Sequence, residues 1–169
     1  MKTTTNLSLC ALACASALAT PALAGPREDK MLEFDTMVGV AAPYTGPTNA
    51  IRGVPGGGLP WVVARAEGEL RVSGRLEIRV EGLVFADDPS VPADRRGINT
   101  VPNFRAVVSC MSRNDLGEPT VVNLSTDNFP ASSSGNAYIE ATVSLPSPCI
   151  APIVFVTSPG GAWFTATGM

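Results

Sequence analysis

Residues 61–86 read WVVARAEGELRVSGRLEIRVEGLVFA, and the spacing within them decides the fold class. Val62, Ala64, Ala66, Gly68, Leu70 and Val72 fall on even positions, and Arg65, Glu67, Glu69 and Arg71 on odd ones. After Ser73-Gly74 the pattern resumes, with Leu76, Ile78, Val80, Gly82 and Val84 against Glu77, Arg79 and Glu81. A period of two over two arms joined at a glycine is a β-hairpin with one buried face. A loop of Ser73-Gly74-Arg75 sets Arg71 against Glu77 and Glu69 against Arg79. A loop of Val72-Ser73-Gly74 places Gly74 at the left-handed position but opposes Glu69 with Glu77. The charge-paired register is the expectation.

Alternation continues outward from this hairpin, and no stretch after residue 24 has helical periodicity. Residues 31–40 place Leu32, Phe34, Thr36 and Val38 on one side of a strand. Residues 104–111 place Phe104, Ala106, Val108 and Cys110 on one face. Residues 137–145 point Ala137, Ile139, Ala141, Val143 and Leu145 inward, with Tyr138, Glu140, Thr142 and Ser144 outward. Strands are also expected over 120–126, 153–157 and 162–167. Residues 41–60, with four Pro and five Gly, form a long irregular loop, and residues 87–103 a second one. About eight strands at this spacing predict an all-β antiparallel sandwich, immunoglobulin-like or jelly-roll, with a closed barrel as second choice.

The first 24 residues have a different character. Lys2 precedes an uncharged, mostly apolar run from Leu7 to Leu18, and Ala22-Leu23-Ala24 is a small-x-small cleavage site. That is the layout of a secretory leader, too short and too rich in Ala for an anchor. Lipidation at Cys14 fits less well, because Ala11 stands where a leucine is expected. The expected product is one secreted or periplasmic β domain, residues 25–169, with no membrane insertion. It carries 11 Lys plus Arg against 15 Asp plus Glu, a charge of −4. Signs alternate along the chain without a basic patch, so nucleic acid is not an expected partner. Of the four cysteines only Cys110 and Cys149 follow the leader, and in an exported chain such a pair predicts one disulfide.

The chain contains no histidine. That removes Ser-His-Asp and Cys-His catalysis, imidazole metal sites and a His general base. Two cysteines without histidine are too few for zinc, so neither a metal nor a cofactor is expected. Asp87, Asp88 and Asp94 flank a loop of the kind calcium favours, but their spacing matches no calcium loop and Arg95-Arg96 neutralises them. Pro55-Gly56-Gly57-Gly58 precedes a strand instead of a helix, which removes the phosphate-loop reading. Paired carboxylates among Glu67, Glu69, Glu77 and Glu81 would permit a histidine-free polysaccharide hydrolase. Alternation with Arg65, Arg71 and Arg79 reads instead as a cross-strand charge ladder.

Two Pro-Gly-Gly turns, at 55–57 and 159–161, each deliver a tryptophan into a strand, Trp61 and Trp163. If exposed at one end of the sandwich with Tyr44, they would form an aromatic platform for a neutral glycan or an extracellular protein. The competing reading caps the core with both rings. The segments VPGGGLPW (54–61), EGLVFAD (81–87), VPNFRAVVSC (101–110) and SLPSPCIAPIVFVTSPGGAWFTATG (144–168) resemble a set of exported, uncharacterised bacterial proteins. The resemblance implies a shared fold and export, and carries no activity. The expected function is a non-enzymatic binding or structural module, with the hydrolase as the alternative.

Overall fold

In the computed structural model the described residues are 29–168. The expected leader and its cleavage site lie outside them. Among the described residues twelve strands and no helix are formed: β1 (Lys30–Phe34), β2 (Val38–Gly39), β3 (Trp61–Val62), β4 (Arg65–Arg71), β5 (Arg75–Glu81), β6 (Val84–Phe85), β7 (Asn103–Arg113), β8 (Pro119–Ser125), β9 (Phe129–Pro130), β10 (Ala137–Thr142), β11 (Ile150–Thr157) and β12 (Trp163–Ala166). One sheet runs β1-β4-β5-β10. The second runs β2-β12-β11-β7-β8, with β9 also on β7, and β3 and β6 form a small ribbon. All strand pairs are antiparallel and no sheet closes, so the architecture is the expected sandwich and not the barrel. The count exceeds eight because two-residue pieces (β2, β3, β6 and β9) form where breaks interrupt the longer runs.

The core follows alternation within the long strands. Ala66, Leu70, Leu76, Ile78, Val80 and Ile139 from the first sheet are buried with Phe104, Ala106, Val108, Val154 and Val156 from the second. At ~1.5–3 kcal/mol per fully buried large aliphatic or aromatic side chain, this layer supplies most of the driving force for folding. Over Phe104–Cys110 of β7 and Val154–Thr157 of β11 both faces are largely buried, since Val107, Ser109, Phe155 and Thr157 are covered too. The 41–60 loop is stitched onto this second sheet. Trp163 N–H donates to Pro55 O (2.9 Å), and Gly57 N–H donates to Trp163 O (2.8 Å). Arg52 donates to Ser109 O (3.1 Å) and Ala151 O (2.8 Å), beside an irregularity of register between Ile150 and Ile153. Cys110 and Cys149 are bonded, with Cα atoms 4.9 Å apart.

Three expectations are corrected. The hairpin takes the other register: Leu70 faces Leu76 and Glu69 faces Glu77, which leaves Val72-Ser73-Gly74 as the loop. Gly74 sits at φ 88°, its N–H donates to Arg71 O (2.9 Å), and a Cβ there would run into the Val143 carbonyl. A non-glycine residue in that conformation costs about 1–2 kcal/mol. The charges forfeit little in exchange, because cations from neighbouring rows engage both opposed glutamates: Lys30 and Arg71 reach Glu69, and Arg75 reaches Glu77.

The second correction concerns phase. Trp61 is buried and Val62 is 47% exposed, the reverse of the even-position rule, because β3 pairs with β6 and not with β5. Gly82, at φ 65°, resets the phase again, so that Leu83 and Phe85 are buried. Third, β1 ends at Phe34, and around the short β2 that follows Met37 and Val40 go inside while Val38 stays exposed.

Candidate functional site

The polar faces of β1, β4, β5 and β10 make up the outer surface of the first sheet, and register alone sorts their charges into rows. Glu33 faces Glu69, Glu69 faces Glu77, and Glu77 faces Glu140, so four glutamates stand side by side across four strands. On one side lie Arg71 and Arg75, with Lys30 opposite Arg71. On the other lie Glu67, Arg79 and Tyr138. Like charges placed directly opposite destabilise a sheet. Here the carboxylates are bound by cations: Lys30 to Glu33 (2.7 Å) and Glu69 (3.3 Å), Arg71 to Glu69, Arg75 to Glu77 (2.6 Å) and Glu140 (3.1 Å), and Arg65 to Glu67 (2.6 Å).

These rows line a shallow depression of about 660 Å³, bounded by Glu33, Phe34, Asp35, Glu67, Glu69, Glu77, Arg79 and Tyr138, with Gly68 and Ile78 between them. The hydrogen bond from Arg71, reinforced by Lys30, pulls the pKa of Glu69 below the ordinary 4.5. Lys30 is raised, chiefly by its hydrogen bonds to Glu33 and Glu69. Partial desolvation, then the neighbouring Glu77 and Glu140, raise Tyr138. Its ring is 48% exposed, and the Arg79 guanidinium carbon lies 5.9 Å from the ring centroid. The surface thus offers fixed carboxylates and guanidinium N–H groups in alternation beside one aromatic face. Such a lattice can hydrogen-bond hydroxyl groups, which donate and accept at once, without demanding a charged ligand.

The aromatic platform expected from the sequence does not form. Trp61 is 3% exposed, stacks on Phe164 (centroids 4.0 Å, interplanar 20°) and meets Phe85 at 4.2 Å. Trp163 is fully buried beside Phe155. The Pro55–Gly57 segment joins the two tryptophans, as the repeated turns suggested, but as parts of the interior. Gly57 closes over the stack, where a Cβ would lie 3.1 Å from Phe164 and 3.3 Å from the Trp61 indole nitrogen. Burying a Trp ring removes more apolar surface from water than any other side chain can offer, and that outweighs display at the surface. Tyr44 alone of the three stays exposed. In the second loop Asp88 accepts from the Ser90 N–H (2.8 Å) and hydroxyl (2.6 Å), and Arg96 pairs with Asp87 (3.4 Å). Among the described residues no cluster of three His, Cys, Asp or Glu is arranged to hold a metal ion.

Tyr138 and Glu140 were legible as outward residues of their strand. Their place beside Arg79 and Glu77 required knowing that β10 pairs with β5, across 55 intervening residues of sequence that carry no pairing signal. No protein family, curated protein or solved structure matches the chain.

Proposed function

We propose that the chain is an exported, non-enzymatic β-sandwich module that binds a neutral glycan on the open face of its first sheet. The observation that carries the reading is the depression walled by Tyr138 and Arg79 and floored by ion-paired glutamates. An exposed ring supplies an apolar face for a pyranose, and the fixed acceptors and donors supply hydroxyl contacts. Export is supported by the leader pattern and by the Cys110–Cys149 disulfide, which belongs in an oxidising compartment. No helix among the described residues is long and apolar enough to cross a membrane. The hydrolase alternative asks for one carboxyl held protonated near neutral pH. Glu69, at the centre of the glutamate row, is shifted the opposite way.

A glycan array followed by calorimetry on hits tests the proposal. Tyr138→Ala and Arg79→Ala should each weaken binding at least tenfold, about 1.4 kcal/mol, with an unchanged melting temperature. Binding to no neutral glycan, or binding indifferent to both substitutions, overturns it. Release of reducing ends from a polysaccharide would establish the hydrolase instead.

A further inference from the structure

We infer that the free edge of the second sheet, strand β8, is a self-association surface that pairs antiparallel with β8 of a second copy. Thr126 N–H donates to Ala106 O (2.9 Å). Alternation along an antiparallel ladder then turns the main-chain groups of Leu124, Val122 and Thr120 toward β7, and those of Val121, Asn123 and Ser125 away from it. No strand among the described residues pairs on that outer side. The seven residues, PTVVNLS, include no charge. The two edges of the first sheet are guarded differently: β1 carries Lys30 and Glu33, and β10 carries Glu140, all ion-paired. Charged residues are how natural sheets keep edges from pairing, and β8 has none.

A second observation lies beside the edge. Ile150 faces Met111 and Met111 faces Val121, so three apolar side chains form one row across β11, β7 and β8. They are 56%, 43% and 43% exposed. Such a row ending at an open edge is covered when the sheet continues.

Two arguments select a second copy as the occupant. With the leader cleaved after Ala24, as proposed above, four residues precede Asp29 and reach about 14 Å. Asp29, whose carbonyl accepts from the Val72 N–H (3.0 Å), lies at the β1 flank. Strand β10, the far end of that sheet, is the one that neighbours β7 and β9, so the chain's own N-terminal segment starts on the wrong side to reach β8. Further, the chain is acidic, and copies repel unless they meet away from their charges. Strand β8 itself carries no charge and lies on the sheet opposite the glutamate row, so the repulsion in this pairing is confined to Glu118 and Asp127 just beyond its two ends. Full overlap of the two strands centres the two-fold axis on Val122 and joins two five-stranded paths into one ten-stranded sheet. Val121 then stands opposite Asn123 of the other copy and diagonal to its Val121.

Sedimentation equilibrium on the full secreted protein tests this, from about 1 to about 100 μM, the range suited to a contact near the lower size limit of specific interfaces. The expected result is a reversible monomer–dimer equilibrium whose Kd rises at least about tenfold in Val121→Lys, with circular dichroism unchanged. Val122→Cys should form a covalent dimer on mild oxidation, while Val72→Cys, on the distant hairpin loop, should not. A monomer across the whole range, a dimer indifferent to Val121→Lys, or equal cross-linking of the two cysteine variants overturns the inference. A pure chain that stays monomeric while β8 accepts a strand from another protein overturns it as well.

Discussion

Reducing the Cys110–Cys149 bond should lower the melting temperature by about 13 °C. The bond closes a separation of 39 residues. In the chain-entropy treatment, a loop of that length costs the cross-linked denatured state about 13 cal/mol/K, or ~4 kcal/mol at 25 °C. The described residues number about 140, which at ~2.1 cal/mol/K per residue gives an unfolding entropy near 0.3 kcal/mol/K. Dividing one by the other yields the shift. The native state loses little by comparison: Cys110 is buried in a face shared with Phe104, Ala106 and Val108, where the free thiol packs as a small apolar group. Arg52 continues to hold the adjacent β11 backbone through Ala151 O and Ser109 O. Differential scanning calorimetry with and without a phosphine reductant, with thiols counted after each scan, measures the effect. A shift under about 4 °C with both thiols free would refute the assumption that the bond acts on the unfolded chain. It would mean that this segment stays close in the denatured state.

Two further outcomes follow from the same structure. Trp61→Ala should cost about 3–5 kcal/mol in urea unfolding, because it empties a site enclosed by Phe85, Phe104 and Phe164, while Tyr44→Ala should change stability by less than about 0.5 kcal/mol. Glu69 has a depressed pKa in the folded state, so its stabilising contribution is present above the ordinary value of 4.5 and is lost as the pH falls through the lower folded value. Glu69→Gln should therefore flatten the fall in urea midpoint between about pH 5 and pH 3, and an unchanged slope would show that Arg71 and Lys30 do not hold this carboxylate in solution.

Alternation was a reliable guide wherever a strand is long and uninterrupted. Ala66 to Leu70, Leu76 to Val80, Phe104 to Cys110 and Ala137 to Val143 face as their parity predicts, and the all-β class follows from them, while Val72, expected inside, is exposed in the hairpin loop. The rule failed where the chain changes partner. Trp61 belongs to a ribbon with Phe85, so counting from β4 inverted its face, and Gly82 broke the count again. The hairpin register failed through an incomplete inventory of charges. Opposed pairs were weighed, yet Lys30 and Arg75 neutralise the glutamates from adjacent rows. The depression was illegible for a topological reason. Glu33, Glu69, Glu77 and Glu140 are spread over 108 positions of sequence, and only the β1-β4-β5-β10 order aligns them.

The pairing of β2 with β12 bears on how the protein is made. Val38 and Gly39 bond to Ala166 and Thr165, so one edge of the second sheet joins the earliest described strands to the last. Trp163 is likewise gripped by Pro55 and Gly57. A ribosome releases β2 more than a hundred residues before it releases β12. Until Ala166 has emerged, the surface that will receive it stays open, and Val40, Phe164 and the Trp61 ring lack their final neighbours. Contacts of such long sequence separation are slow to form, and unfinished β edges are the places where nascent chains adhere to one another. The step that locks the sandwich therefore waits for β12, the last of the described strands to emerge.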